Sequence, residues 1–137
     1  VQETGHNRSI NRVKWEKGKL QDLLADDGSA TSRVFDWCAR LLRRRASCPA
    51  FHPDAPQFIH DFGASVFTLE RVSIDGSQTI LCFFNFTNSS VPISNEGRLT
   101  EIFPGGKAHD LVGGFGIPVS DEGIVIRPYQ ALWLVPR

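Results

Sequence analysis

The hydrophobic period of this chain changes from helical to alternating at Pro49, and that change limits what it can fold into. Upstream, Val34, Trp37, Cys38, Leu41, Leu42 and the aliphatic stem of Arg45 recur at steps of three and four, which predicts an amphipathic helix of roughly four turns. Asp26-Asp27-Gly28 ends whatever precedes it, and Thr31 or Ser32 can cap the new helix through a side-chain oxygen. The helix should halt near Cys48, because a proline disfavours helical geometry in the residue before it. A weaker helical pattern runs over residues 13–24, with Val13, Trp15, Leu20, Leu23 and Leu24 interrupted by Gly18.

After Pro49 the pattern is that of strands. Residues 57–62, 64–74 and 78–87 are rich in Phe, Val, Ile and Thr, and Asp75-Gly76 between the last two is a hairpin signal. In the third run Ile80, Cys82, Phe84 and Phe86 share one face, and Leu81, Phe83 and Asn85 the other, so a central strand is expected. Shorter strands are expected at 91–93, 99–103, 109–112, 123–126 and 131–135, separated by Gly, Pro and Asn turns. The predicted fold class is mostly β: an antiparallel β-sandwich preceded by one or two helices, with the boundary at about residues 48–56. Phe84, Phe86, Leu132, Trp133 and Leu134 are expected in or near the core.

The helix with the strong apolar stripe has one weak helical neighbour and cannot bury that stripe against it. It must pack on the sandwich, on a second copy of the chain as a dimer, or on structure upstream. Val1 stands where a full reading frame has Met, and no Met occurs among the 137 residues. A fragment, a processed product or an excised domain is the expectation. The first residues lack the basic-then-apolar layout of a signal peptide, and no apolar run reaches the length of a membrane span. Three cysteines without metal spacing favour reduced, mostly buried thiols and a cytoplasmic home. The Asn-x-Ser/Thr triplets at Asn7, Asn85 and Asn88 are then read as chance.

Charge is uneven. Residues 1–50 carry ten Lys/Arg against six Asp/Glu, whereas residues 51–137 carry five against nine. The run Arg40, Arg43, Arg44, Arg45 reads as a solvated last helical turn rather than a phosphate track, because no aromatic residues interleave it. No nucleic-acid partner is expected. His6, His52, His60 and His109 offer no pair at metal-ligand spacing, and no Gly-x-Ser-x-Gly elbow occurs. Neither a metal nor a cofactor is expected. Residues 4–12 place two Arg and two Asn close together, a set that can hold sugar hydroxyls, carboxylates or phosphate through forked hydrogen bonds, or can be an exposed terminus that binds nothing.

Gly5-His6-Asn7-Arg8-Ser9-Ile10-Asn11-Arg12 resembles the Gly-Arg-x-Ile-Asn-Arg loop of the sucrose phosphorylase and glucosylglycerate phosphorylase branch of glycoside hydrolase family 13, with His6-Asn7 inserted. The stretch from Leu41 through Cys48-Pro49-Ala50-Phe51 looks like the close of the last barrel helix in that family. Asp110-Leu111-Val112-Gly113-Gly114 is similar to its Asp-Leu-x-x-Gly turn. Pro128-Tyr129-Gln130-Ala131-Leu132-Trp133-Leu134 is similar to its Pro-Tyr-x-x-x-Trp-Leu ending.

The resemblance implies that residues 1–50 are the tail of a (β/α)8 catalytic barrel, and that residues 51–137 are the C-terminal antiparallel β domain packed on it. It implies a retaining glucosyl transfer to phosphate that gives glucose 1-phosphate, run by carboxylates on earlier barrel strands. No Asp or Glu of this chain corresponds to them, so the isolated chain should be inactive. Arg8 corresponds to the residue at the glucose subsite that pairs with a barrel carboxylate, and Asn11 and Arg12 belong to the same substrate-binding loop. The implied partners are the upstream barrel, a sugar substrate and phosphate. A hydrolase or transglucosidase of the same family, and a free-standing carbohydrate-binding sandwich, are the alternatives. Exposed aromatic residues on one sandwich face would favour the last.

Overall fold

The computed structural model describes residues 14–94 and 98–137. The chain divides between Arg40 and Leu41 into two compact units.

The first unit is helical. α1 (Lys17–Ala25) and α2 (Ala30–Ala46) flank a turn in which the Gly28 N–H donates to Asp26 Oδ1 at 3.0 Å. The cap of α2 is Ser29, two residues before Thr31 and three before Ser32. Its hydroxyl oxygen accepts the Ser32 N–H at 3.0 Å while its own proton goes to the Leu23 carbonyl at 2.8 Å. Ser32 is buried and donates to the Leu24 carbonyl. A Ser at both positions thus lets one hydroxyl cap α2 and both hydroxyls close the end of α1. Val34, Trp37 and Cys38, the predicted apolar stripe, are exposed and line a shallow cleft with Ala30 and Arg33. Residue 13 of the predicted first helix lies outside the described residues.

The second unit is an antiparallel sandwich. The chain passes from the last turns of α2 into a 3-10 turn (Pro49–Phe51), where Pro49 can start a helical turn but not continue one. Then come β1 (Gln57–His60), β2 (Val66–Val72), β3 (Thr79–Asn85), β4 (Val91–Ile93), α3 (Arg98–Ile102), β5 (Lys107–Asp110), β6 (Phe115–Pro118), β7 (Ile124–Ile126) and β8 (Ala131–Pro136). Six strands form one sheet in the order β1-β2-β3-β8-β5-β6, and β4 pairs with β7 in a second. Every pairing is antiparallel.

β3 is the central strand its two apolar faces called for. Leu81 and Phe83 are fully buried in the main core with Leu132, Leu134, Ile93, Ile126, Leu99 and Phe103. Ile80 and Cys82, on the opposite face, pack with Cys48 and Ala50. Burial pushes the Cys82 thiol up to about 12. The thiols of Cys48 and Cys82 are buried as expected, but that of Cys38 is exposed. Asn85 is buried as well, and its amide nitrogen donates to the carbonyls of Ser89 and Arg127 at 2.8 Å, while its oxygen accepts from Thr87. The hairpin around Asp75-Gly76 has Gly76 at φ 71°. The Asp75 carboxylate accepts from the Ser73 and Ser77 hydroxyls and the Ser77 N–H, which holds it down at about 2.

Four expectations need correction. The strand expected at 99–103 is instead a helix, Arg98–Ile102: Leu99, Ile102 and Phe103 stand at i, i+3 and i+4, and the Phe103 N–H donates to the Leu99 carbonyl at 2.8 Å. A five-residue segment with three apolar positions is too short to distinguish the two periods. The strand expected at 109–112 starts at Lys107 and stops at Asp110, whose carboxylate draws the next residues into a turn. β6 is not among the expected strands; Gly116 and Pro118 weaken a strand, and they are tolerated here because β6 lies at the sheet edge. Phe86 is exposed rather than in the core, because β3 ends at Asn85. Leu132 and Leu134 are buried, and Phe84 and Trp133 are half-buried against the Ile80–Cys82 cluster, in or near the core as expected.

Candidate functional site

The substrate-binding set expected from the sequence, Arg8, Asn11 and Arg12, lies outside the described residues. The described residues do place the other three stretches that carried the resemblance, together with one polar cluster.

The Pro49–Phe51 turn is clamped to the large sheet. Arg71, the penultimate residue of β2, is buried and donates from Nε to the Ala50 carbonyl at 3.0 Å. Its Nη2 reaches the His52 carbonyl at 2.6 Å, and its Nη1 the Gln57 side-chain oxygen at 2.9 Å. The Gln78 side chain accepts the Ala50 N–H at 3.1 Å. A guanidinium suits this position, since its rigid fork serves three acceptors at once. Phe51 then rests against Trp133, and the Arg45 guanidinium lies 6.0 Å from the Phe51 ring centre.

Asp110 organises the turn that follows it. One carboxylate oxygen accepts the Val112 and Trp133 N–H groups at 3.1 and 2.9 Å, and the other accepts Gly113 N–H at 2.7 Å. The carboxylate is 1% exposed, so backbone dipoles replace its water shell. Gly113 has no room for a side chain, because a Cβ would strike the Phe115 ring and the Asp110 carboxylate. Gly114 takes φ 76°. These are structural devices: they hold β5 to β8 and present nothing to a ligand.

The strongest constellation of titratable groups is on the inner side of the β1–β2 edge. His60 Nε2 is 2.6 Å from Glu70 Oε2, and His60 Nδ1 is 3.4 Å from Arg98 Nη2. A guanidinium only donates, so Nδ1 accepts and the ring proton sits on Nε2, shared with Glu70. Arg98 also donates to the Asp61 carbonyl at 3.1 Å and lies 4.7 Å from the Phe62 ring centre. Asp61, Phe62, Gly63, Ser94 and Arg98 line a cleft of ≈ 340 Å³. The histidine is oriented, as in a hydrolytic relay, but its second nitrogen faces a guanidinium where a nucleophile would stand. The cluster therefore ties the sheet edge to α3. Its sequence signal was faint, because His60, Glu70 and Arg98 come from three elements.

Among the described residues, no group of three His, Cys, Asp or Glu is placed to hold a metal ion. Among the same residues no helix is long and apolar enough to cross a membrane.

No family model matches the chain. It is 32% identical over 134 residues to the glucosylglycerate phosphorylase of Allomeiothermus silvanus, which is 98% of this chain and 21% of that protein. It is 28% identical to the glucosylglycerate phosphorylase of Escherichia coli, over 98% of this chain and 22% of that one. A third, from Spirochaeta thermophila, is 29% identical over 99% of the chain and 24% of its own length. The chain thus spans between a fifth and a quarter of the curated relatives it matches. In fold it is similar to a maltogenic amylase from S. marinus, with a TM-score of 0.55 at 14% identity over 81% of this chain and 14% of that one. An Anoxybacillus alpha-amylase gives 0.57 at 16% identity, over 82% and 24%.

Proposed function

We propose that this homologue of the glucosylglycerate phosphorylases is the C-terminal portion of a glucoside phosphorylase, an enzyme that moves a glucosyl unit onto inorganic phosphate and yields glucose 1-phosphate. The observation that carries the reading is the 32% identity over 134 residues, nearly the whole chain, to an enzyme named for that reaction. The antiparallel sandwich supports it, since amylases of known structure share that fold.

On this reading residues 1–50 are the loop and helices that finish a (β/α)8 barrel, and residues 51–137 are the β domain that braces it. Two carboxylates elsewhere in the enzyme do the chemistry: one attacks the anomeric carbon, the other protonates the leaving oxygen, and phosphate releases the glucosyl-enzyme. Arg8, with Asn11 and Arg12 beside it, lies in the sugar site, where a guanidinium fork holds a carboxylate and a sugar hydroxyl together. The β domain's part is positional: Arg71 and Trp133 hold the Pro49–Phe51 turn, and with it the end of the helix that follows the sugar loop. The reaction needs no metal or cofactor, and a cytoplasmic location goes with the unpaired thiols.

The test is phosphorolysis by the complete reading frame that contains this chain, supplied with glucosylglycerate and phosphate. Glucose 1-phosphate should accumulate, and the 137-residue chain alone should form none. Release of free glucose at a rate indifferent to phosphate would replace the reading with a hydrolase.

A further inference from the structure

The large sheet ends in two strands, β1 and β6, and only β6 is guarded against pairing with a further strand. A sheet edge exposes every second N–H and C=O of its last strand, and natural edges blunt that row with proline, charge or a covering side chain. At β6 the Val119 N–H donates to the Gly106 carbonyl at 2.9 Å, which fixes the alternation so that Gly116 and Pro118 turn their backbone groups outward. Pro118 has no N–H to offer, and the Arg137 side chain lies against Gly116. At β1 the Val72 N–H donates to the Pro56 carbonyl at 3.2 Å, so Phe58 and His60 turn their backbone groups to β2 while Gln57 and Ile59 turn theirs outward. Those two donors and two acceptors have no partner among the described residues. Nor does β1 contain a proline, a glycine, a lysine or an acidic residue. Its two central side chains are apolar and open to solvent, Phe58 by 51% and Ile59 by 73%.

We infer that β1 is a pairing edge for β1 of a second copy of this chain, joining the two large sheets across a two-fold axis. The inference does not depend on the phosphorylase reading. Register is the first feature that selects this occupant. Antiparallel strands of one sequence are related by a two-fold axis, and the register centred on Phe58 sets Gln57 opposite Ile59 of the second copy. All the outward N–H and C=O groups of both strands are then bonded. The two Phe58 rings meet at the non-hydrogen-bonded position, where opposed side chains come closest and an aromatic pair is favourable. Charge is the second feature. A strand that meets its own copy opposes like charges wherever it carries them near the axis, and Gln57-Phe58-Ile59 carries none. The area is small: the exposed parts of Phe58 and Ile59 come to about 200 Å², given side chains of this size. A stable dimer buries about 800 Å² per partner. The association is therefore weak and concentration-dependent, with the backbone hydrogen bonds setting its register.

The experiment is amide hydrogen exchange on the complete protein that contains this chain, over a series of concentrations at which sedimentation gives the mass. The Gln57 and Ile59 amides should exchange roughly tenfold more slowly where the protein is dimeric than where it is monomeric. The Phe58 and His60 amides, which face β2, should be protected throughout and serve as the internal control. Phe58→Asp sets two carboxylates against each other at the axis and should raise the dissociation constant roughly tenfold or more. Ile59→Pro removes one outward donor without adding charge, and should do the same with the β2 face of the strand intact. Exchange at Gln57 and Ile59 that is equally fast in monomer and dimer overturns the inference. Protection of those two amides in a monomer overturns it as well, because another part of the protein is then the occupant. So does a dimer that both substitutions leave intact, because other contacts then hold it.

Discussion

Phe51 lies against Trp133, ring centres 4.7 Å apart and planes inclined by 55°. The two residues are far apart in sequence, one closing the helical segment and one near the end of the chain. Their contact joins the first turn of the sandwich to its central sheet, beside the buried pair Ile80 and Cys82. A tilted aromatic pair of this kind contributes about 0.5–1.5 kcal/mol beyond the area it buries. A double-mutant cycle on Phe51→Leu and Trp133→Leu, read by chemical denaturation, should return a coupling energy in that range. Additive effects would mean that the two rings stabilise the fold independently.

Phe83 and Phe86 should respond in opposite ways to truncation. Phe83 is fully buried in the main core, so Phe83→Ala should cost about 3–5 kcal/mol. Phe86 is exposed, and Phe86→Ala in the isolated chain should change stability by no more than about 0.5 kcal/mol. Urea midpoints of the two variants measure the contrast.

Asp110→Asn keeps the shape of the side chain but replaces one acceptor oxygen with a donor. The carboxylate now accepts three N–H groups, so at least one would lose its partner in a buried site. The expected loss is about 1–3 kcal/mol. Hydrogen exchange at Gly113 and Trp133 should accelerate in this variant, and unchanged exchange there would show that the turn is held by other means.

The Cys82 thiol ionises at about 12 because burial penalises the thiolate. The unfolded chain releases that proton near 9, so the stabilising contribution is complete below pH 9 and is lost as the pH rises from 9 towards 12. Denaturation midpoints should fall over that window, and the fall should shrink in Cys82→Ala. At pH 8 a thiol reagent should label exposed Cys38 in the native chain long before Cys82.

Arg8→Ala in the complete enzyme should lower turnover by roughly ten- to several-hundred-fold with stability little changed, since a charge-assisted bond is worth about 1.5–3 kcal/mol. Arg8→Lys should not restore it, because an ammonium cannot hold two partners in one plane. Arg12→Ala is the comparison: equal damage would mean that the loop acts as a unit. Unaltered kinetics in Arg8→Ala would remove it from the sugar site.

What was legible beforehand was whatever depends on near neighbours. The period of three and four through Val34, Trp37 and Leu41 marked α2, Pro49 marked its end, and Asp75-Gly76 marked the hairpin. Apolar residues on both sides of Ile80-Leu81-Cys82-Phe83 marked a strand with neighbours on each edge. The proposed sugar-binding role of Arg8, Asn11 and Arg12 rests only on the likeness of their segment to known loops, because such chemistry depends on groups that other segments supply.

Period and punctuation along the chain therefore determined the helix-then-sandwich order, the central place of β3 and the turns, since each follows from sterics and burial within a few residues. Tertiary structure decided the rest. It made a helix of residues 98–102, because so short a segment takes whichever form buries Leu99 and Phe103 together. It let Gly116 and Pro118 serve in a strand at the sheet edge. It buried Arg71 under the Pro49–Phe51 turn, with acceptors drawn from Ala50, His52 and Gln57. It left Phe86 in solvent and Phe83 in the core, three residues apart on one run. Alternation assigns each to a face, but whether a face is covered depends on how far the strand extends and what packs there.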